Sequence, residues 1–185
     1  DYLRKSRSNG FVLSLSGGAD SSTIAVLVAE MVSRGIAELG LQRFIEKVGL
    51  NYSPKTQNPE KELVGELLTT AYQGTKNSSE DTLASAKSLA ESLGAKFYSW
   101  TIDQEVNSYT EKIEAAIGRK LTWEQDDITL QNIQARSRSP IIWMLANINN
   151  ALLLSTSNRS EGDVGYTTMD GDTSGSISPI AAVDK

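Results

Sequence analysis

Residues 14–22 read SLSGGADSS. Each residue type in that stretch suits one task. Glycines let a backbone approach a ligand closely. Serine hydroxyls donate and accept hydrogen bonds. Ahead of the stretch, Phe11-Val12-Leu13 reads as a short buried strand. Behind it, Ile24, Leu27, Val28 and Met31 have helical spacing with no breaker between them. The segment is therefore a strand, a tight Gly-Gly turn and a helix start. A helix start leaves amide N–H groups unpaired and carries positive partial charge. Together these make a cradle for an anion, most naturally phosphate.

Composition narrows what such a cradle can serve. The chain has 185 residues, 39% hydrophobic and 22% charged, which suits one folded domain with a full core. A net charge of −5 argues against broad nucleic-acid or acidic-membrane binding. It leaves room for a small anionic substrate in a locally positive site. No apolar run is long enough to cross a bilayer, and there is no signal-peptide pattern. The expected location is cytoplasmic. There is no cysteine, so disulfides, a thiolate nucleophile and a cysteine-type zinc site are excluded for this chain. There is no histidine, which excludes a Ser-His-Asp triad and an imidazole base. Chemistry here must use positioning, charge, backbone amides and a metal held by carboxylates, the tools of phosphoryl and nucleotidyl transfer.

The elements that must position these residues alternate in type. Residues 1–9 read as the end of a helix that begins before Asp1. Strands are expected at Phe11–Leu15, Leu67–Tyr72, Lys96–Ile102 and Leu152–Leu154. Helices are expected at Ser21–Ser33, Asp81–Leu93 (closed by Gly94), Gln104–Ile117 and Asp127–Asn150. Residues 35–60 read as irregular. Phe44, Ile45, Val48 and Leu50 suggest one short helix there, and Pro54 and Pro59 should interrupt regular structure after it. Pro140 should kink or restart the long helix, because proline lacks a backbone donor. The expected fold is α/β, a parallel sheet with helices on both faces. Ligands bind such sheets at the carboxyl ends of the strands. The loops at 16–22 and 156–178 both follow strands and should share that rim.

The Walker, Rossmann and kinase fingerprints are all absent. Ser16-Gly17-Gly18-Ala19-Asp20-Ser21 instead resembles the SGGxDS loop of the ATP pyrophosphatase, or PP-loop, family. Its members activate an acyl or carbonyl group with AMP from ATP and release pyrophosphate. Residues 152–185, beginning LLLSTSNRSEGD, resemble the signature region of NAD synthetases, as do LQNIQARSR at 130–138 and, less strongly, SSED at 78–81. The likeness is closest to the synthetase half of glutamine-dependent members.

That resemblance implies a reaction and a site. The nicotinate carboxylate of deamido-NAD is adenylated by ATP, and ammonia then displaces AMP to give NAD. Ser14, Leu15, Ser16, Gly17, Gly18, Ala19, Asp20, Ser21, Thr156 and Lys185 fall on ATP-binding positions, with Ser16 and Lys185 as the catalytic pair. Asp20 and Glu161 fall on Mg²⁺ positions, both hard oxygen ligands. Arg136, Glu161 and Asp172 fall on deamido-NAD positions; a guanidinium suits a carboxylate or phosphate. Met169 and Ser176 depart from the family, where many ammonia-using members carry Lys and Asp. Arg136 and Arg138, two apart on a helix, point to different faces. Glu161 could also simply favour a helix start. Two other readings stand beside this one: another PP-loop adenylating enzyme, such as a GMP synthetase-like amidase, or a nucleotide-binding module without catalysis. The expected ligands are ATP, Mg²⁺, deamido-NAD and ammonia or glutamine. Residues 1–185 are expected to be one domain within a longer chain. A glutaminase domain would precede it, further helices would follow, and the whole is expected to self-associate as a homo-oligomer.

Overall fold

The computed structural model describes residues 2–185. β1 (Phe11–Ser14), β2 (Leu68–Gly74), β3 (Lys96–Thr101) and β4 (Leu152–Leu154) form one sheet in the order β3-β2-β1-β4, every pair parallel. The chain therefore leaves β1 towards one edge, building β2 and then β3. It finally crosses back to place β4 on the other side of β1. That reversal makes the gap between β1 and β4 the switch point where open α/β sheets bind ligands.

Alternation along β1 assigns its two faces. Phe11, Leu13 and Leu15 pack with Ile24, Ala25, Val28 and Val32 of α2 (Ala19–Leu39). On the other face Val12, Ala71 and Leu153 pack against Ile142 and Ala146 of α7 (Trp123–Ile148). The remaining helices are α1 (Tyr2–Ser6), α3 (Leu41–Val48), α4 (Pro59–Leu67), α5 (Glu80–Leu93), α6 (Asp103–Ile117) and α8 (Arg159–Asp163). Residues of α3, α4 and α5 join the α2 face. β2 is buried along its whole length, as a central parallel strand covered on both faces must be.

Several expectations need correcting. α2 runs through Gly35 to Leu39, and a Cβ at Gly35 would meet the Phe44 ring at 2.3 Å. The glycine marks a close helix–helix approach, not a stop. Pro59 does not interrupt regular structure; it opens α4, where a missing N–H costs nothing, and the Asn58 side chain caps the helix by accepting from Lys61 N at 3.2 Å. Leu67 accordingly ends α4 rather than opening β2. Leu15 lies just beyond β1, although its N–H still donates to Ala71 O at 2.8 Å. Pro140 leaves α7 helical; the one non-helical residue inside α7 is Asp126. The Asp126 carboxylate accepts from Thr122 N and from Arg119, which pins the first turn. Pro140 and Arg136, one turn earlier, are both exposed, so the freed carbonyl can turn to water. The helix expected to begin before Asp1 is described only from Tyr2, since Asp1 lies outside the described residues.

The segment before α4 is tied down by one carboxylate. Glu62 accepts from Tyr52 Oη at 2.6 Å, from Lys55 N at 2.7 Å and from Thr56 N. Hydrogen bonding from Thr56, then from Tyr52 and the Lys55 amide, lowers the Glu62 pKa from 4.5 to about 2. The bond to Glu62 in turn raises Tyr52 to about 12. A depressed carboxyl pKa contributes stability above its unfolded value and loses it as pH falls through the folded one. Acidification from pH 4.5 towards 2 should therefore weaken the wild-type chain more steeply than Glu62→Gln. Thermal melts across that range would test this, and parallel pH profiles would refute the role of Glu62.

Candidate functional site

The turn after β1 is built by its own hydroxyls. Ser16 Oγ donates to Ser21 Oγ (3.1 Å), which also accepts from Ser16 N (3.2 Å) and donates to Gly18 O (3.3 Å). Gly18 N closes the loop by donating to Ser16 Oγ at 3.2 Å. Ser21 is buried and anchors this network, while Ser16 and Gly18 stay exposed at its outer side. Gly17 has φ 81°, and a Cβ there would lie 2.5 Å from Thr82 O of α5. Only glycine fits between the loop and that helix. Gly18 is the N-cap of α2 and, among the described residues, no side chain caps that helix. Its first-turn amides are left to a ligand or water.

The opposite wall comes from the segment after β4. Leu154 forms a parallel bridge to Ile177, so residues 155–178 leave the sheet and return to its edge. A Cβ on Gly175 would stand 2.6 Å from Ser155 N, which shows how tightly the returning chain is laid down. Ser155 Oγ donates to Asp172 O at 2.7 Å, and Ser178 Oγ donates to Ser155 Oγ at 3.1 Å. Glu161 does start a helix: Asn158 and Glu161 form a reciprocal capping box on α8. The last residues dock on this short helix, through Arg159 N to Val183 O (3.0 Å) and Lys185 N to Ser160 Oγ (2.8 Å).

Docking brings three charges together. Lys185 Nζ stands 2.8 Å from Asp20 Oδ2 and 3.9 Å from Glu161 Oε1. The hydrogen bond to Asp20, then the Asp20 charge, raises the Lys185 pKa, with Glu161 and Asp172 adding to it. The ammonium is thus held protonated between two carboxylates from opposite walls. Among the described residues no group of three or more acidic side chains is placed to hold a metal. Asp20 and Glu161 are nevertheless a fitting pair for Mg²⁺, which commonly takes one or two carboxylates and completes its shell with phosphate and water.

Between the walls lies a cleft of about 520 Å³ at the β1–β4 switch point. Ser14, Ser16, Gly18, Ala19, Asp20, Ser21, Thr156, Glu161, Asp172 and Lys185 all line it. The two loops expected to share a rim do share one. Leu15 and Gly17 are not in the lining; Leu15 is buried in the core and Gly17 shapes the turn. Arg136 also stands outside the lining, and its Nε donates to Met169 O at 3.0 Å.

Sequence reading missed the floor of the cleft. Gln73, at the end of β2, is buried; its Nε2 donates to Ser14 Oγ at 3.1 Å and its Oε1 accepts from Trp100 Nε1 at 3.3 Å. Arg138 lines the cleft and is held by Gln73 O and Gln134 O. The one available signal was Gln73, the residue with the largest polar side chain in the fully buried strand LTTAYQG.

A family model for NAD synthase matches residues 1–185. The chain belongs to the NAD synthase family. It is 35% identical to the glutamine-dependent NAD(+) synthetase of Oryza sativa subsp. indica, with all of this chain and 28% of that protein covered. A crystal structure of a glutamine-dependent NAD(+) synthetase from Cytophaga hutchinsonii superposes with a TM-score of 0.94 at 59% identity, covering 100% of this chain and 33% of that one. The Acinetobacter baumannii glutamine-dependent NAD+ synthetase, solved with ADP, gives a TM-score of 0.69 at 25% identity, covering 100% of this chain and 28% of that one. The chain thus spans just over a quarter of the Oryza sativa protein's length. Within this NAD synthase domain no helix among the described residues is long and apolar enough to cross a membrane. Met169 is 68% exposed, and its carbonyl accepts from Arg136 Nε.

Alanine at position 17 should disturb this turn. A non-glycine residue at positive φ costs about 1–2 kcal/mol, and the Thr82 carbonyl leaves no room for the added carbon. Gly17→Ala should lower Tm by several degrees in scanning calorimetry. An unchanged Tm would show that the loop can relax away from α5.

Proposed function

We propose that this chain is the ATP-dependent amidating unit of an NAD synthetase. The observation that carries the reading is the meeting of the Ser16–Ser21 loop with Asp20, Glu161 and Lys185 in one cleft at the switch point. Family membership supplies the substrates. An oxygen of the nicotinate carboxylate of deamido-NAD attacks the α-phosphorus of ATP, and the bond from that phosphorus to pyrophosphate breaks. Ammonia then attacks the acyl carbon, the bond to AMP breaks, and a proton passes to solvent, leaving NAD.

The chain's own residues bind and orient. Ser16, Gly18 and the first amides of α2 receive the departing pyrophosphate, where uncapped N–H groups and helix charge favour an anion. Lys185 places a fixed cation against negative charge developing on that leaving group. Asp20 and Glu161 would hold Mg²⁺, which offsets phosphate charge when bound. Thr156 contacts ATP from the far wall. Glu161 and Asp172 face deamido-NAD, and Arg136 reaches it from the rim beside Met169. Ammonia would come from a glutaminase domain on the same longer chain, which the greater length and the name of the glutamine-dependent relatives support. A homo-oligomer in the cytoplasm completes the reading. The exposed stripe Tyr109, Ile113 and Ile117 on α6, a helix with no buried residue, supports self-association.

Two measurements test this function. With ATP and deamido-NAD, Asp20→Asn and Glu161→Gln should each lower pyrophosphate release by about 10²-fold, the usual scale for a preorganised charge at a reacting centre. Near wild-type release in both variants would remove the assignment, and release with xanthosine monophosphate in place of deamido-NAD would move the chain to another PP-loop branch. Separately, the 185-residue chain should make NAD from an ammonium salt and none from glutamine, because it has no cysteine nucleophile. Product from glutamine alone would contradict that.

A further inference from the structure

Arg138 is a cation that its own fold leaves without a counter-ion. Its Nε donates to Gln73 O at 3.0 Å and its Nη1 to Gln134 O at 3.1 Å. Both partners are neutral carbonyls. Among the described residues no carboxylate lies within ion-pair distance of it, and Nη2 has no hydrogen-bond partner. The other cation lining the cleft, Lys185, is paired with Asp20 and Glu161. Asp172 lines the same cleft near enough to be felt electrostatically, yet burial outweighs it and lowers the Arg138 pKa. Taking a guanidinium out of water without a partner is costly. A surface arginine would turn to solvent instead.

The support beneath Arg138 is more elaborate than packing requires. Gln73 is 5% exposed and both ends of its amide are used, one on Ser14 and the other on Trp100. The Gln73 carbonyl that holds Arg138 is therefore immobilised by both neighbouring strands. Ser14 leads directly into the Ser16–Ser21 loop, so the guanidinium is rigidly indexed to that loop. A planar fork held at a fixed place, with a free N–H edge on a cleft, is suited to an oxyanion.

The geometry points to Arg138 as an oxyanion receptor at the reacting end of the cleft, a substrate-binding residue distinct from Arg136. It rests on the proposed adenylation. The oxyanion is carried by one of two groups there, the α-phosphoryl group of the nucleotide or the carboxylate of the acceptor. Arg136 differs in every respect that matters: it is exposed, stands outside the cleft lining and donates to the Met169 carbonyl.

Paired ligands separate the two sources. Calorimetry would compare AMP with adenosine, which lacks the phosphate, and deamido-NAD with NAD, which carries a neutral amide instead of the carboxylate. The wild-type chain should prefer the anionic member of at least one pair. Arg138→Met keeps the aliphatic stem and should lower that preference by about tenfold or more, the scale of one charged hydrogen-bonded contact. Arg138→Lys should restore part of it, because charge returns without the fork. Loss in the AMP pair assigns the α-phosphoryl group, and loss in the deamido-NAD pair assigns the carboxylate. Unchanged preference in both pairs would overturn the inference. So would equal weakening of all four ligands with no rescue by lysine, which would mark a merely structural arginine. Failure of the wild-type chain to bind any of the four would overturn the proposed activity itself, whereas equal binding by wild type and variant overturns only the role of Arg138.

Discussion

The site depends on β1 being enclosed. Its residues pair with β2 on one side and β4 on the other, and its two faces are covered by α2 and α7. An enclosed parallel strand can present polar groups only at its ends. Ser14 and the loop after it are therefore the first place where backbone amides and hydroxyls meet solvent on that strand. Because β4 returns on the far side of β1, the segment after β4 emerges beside that same loop. The cleft arises from this adjacency of two strand ends that lie far apart in sequence.

Each wall then uses a different device to keep its polar groups in place. The first is a short turn whose serines satisfy one another and whose Gly17 presses against α5. The second is a long return segment laid on β4, capped at Asn158 and closed by the docking of residues 183–185 on α8. Neither wall alone holds the full set of charges. Asp20 comes from the first, Glu161 and Lys185 from the second. Their convergence produces a cation between two carboxylates.

The floor makes a third contribution. Gln73 links β1, β2 and β3 through its side chain and carries Arg138 on its carbonyl. Arg136 and Arg138 show how strongly helical geometry separates near neighbours. Two positions on a helix differ by about 200° around its axis, so one arginine reaches the cleft while the other reaches the loop at Met169.

Much of this was legible in the residues. The SGGADS stretch could be read as a tight turn between a buried strand and a helix start, because glycines, hydroxyls and helix starts act locally. Strand and helix alternation specified a parallel sheet, and zero cysteine and histidine bounded the chemistry. Local signals misled where a residue has two uses. Pro59 starts a helix as readily as proline ends one, Gly35 admits a neighbouring ring, and Pro140 sits where an exposed helix face tolerates it. Tertiary structure alone decided the rest. Which arginine enters the cleft, that Gln73 supports it, and that Lys185 meets Asp20 across 165 positions all depend on the order β3-β2-β1-β4. Strand order arises from long-range packing between segments, and no short stretch of residues carries it.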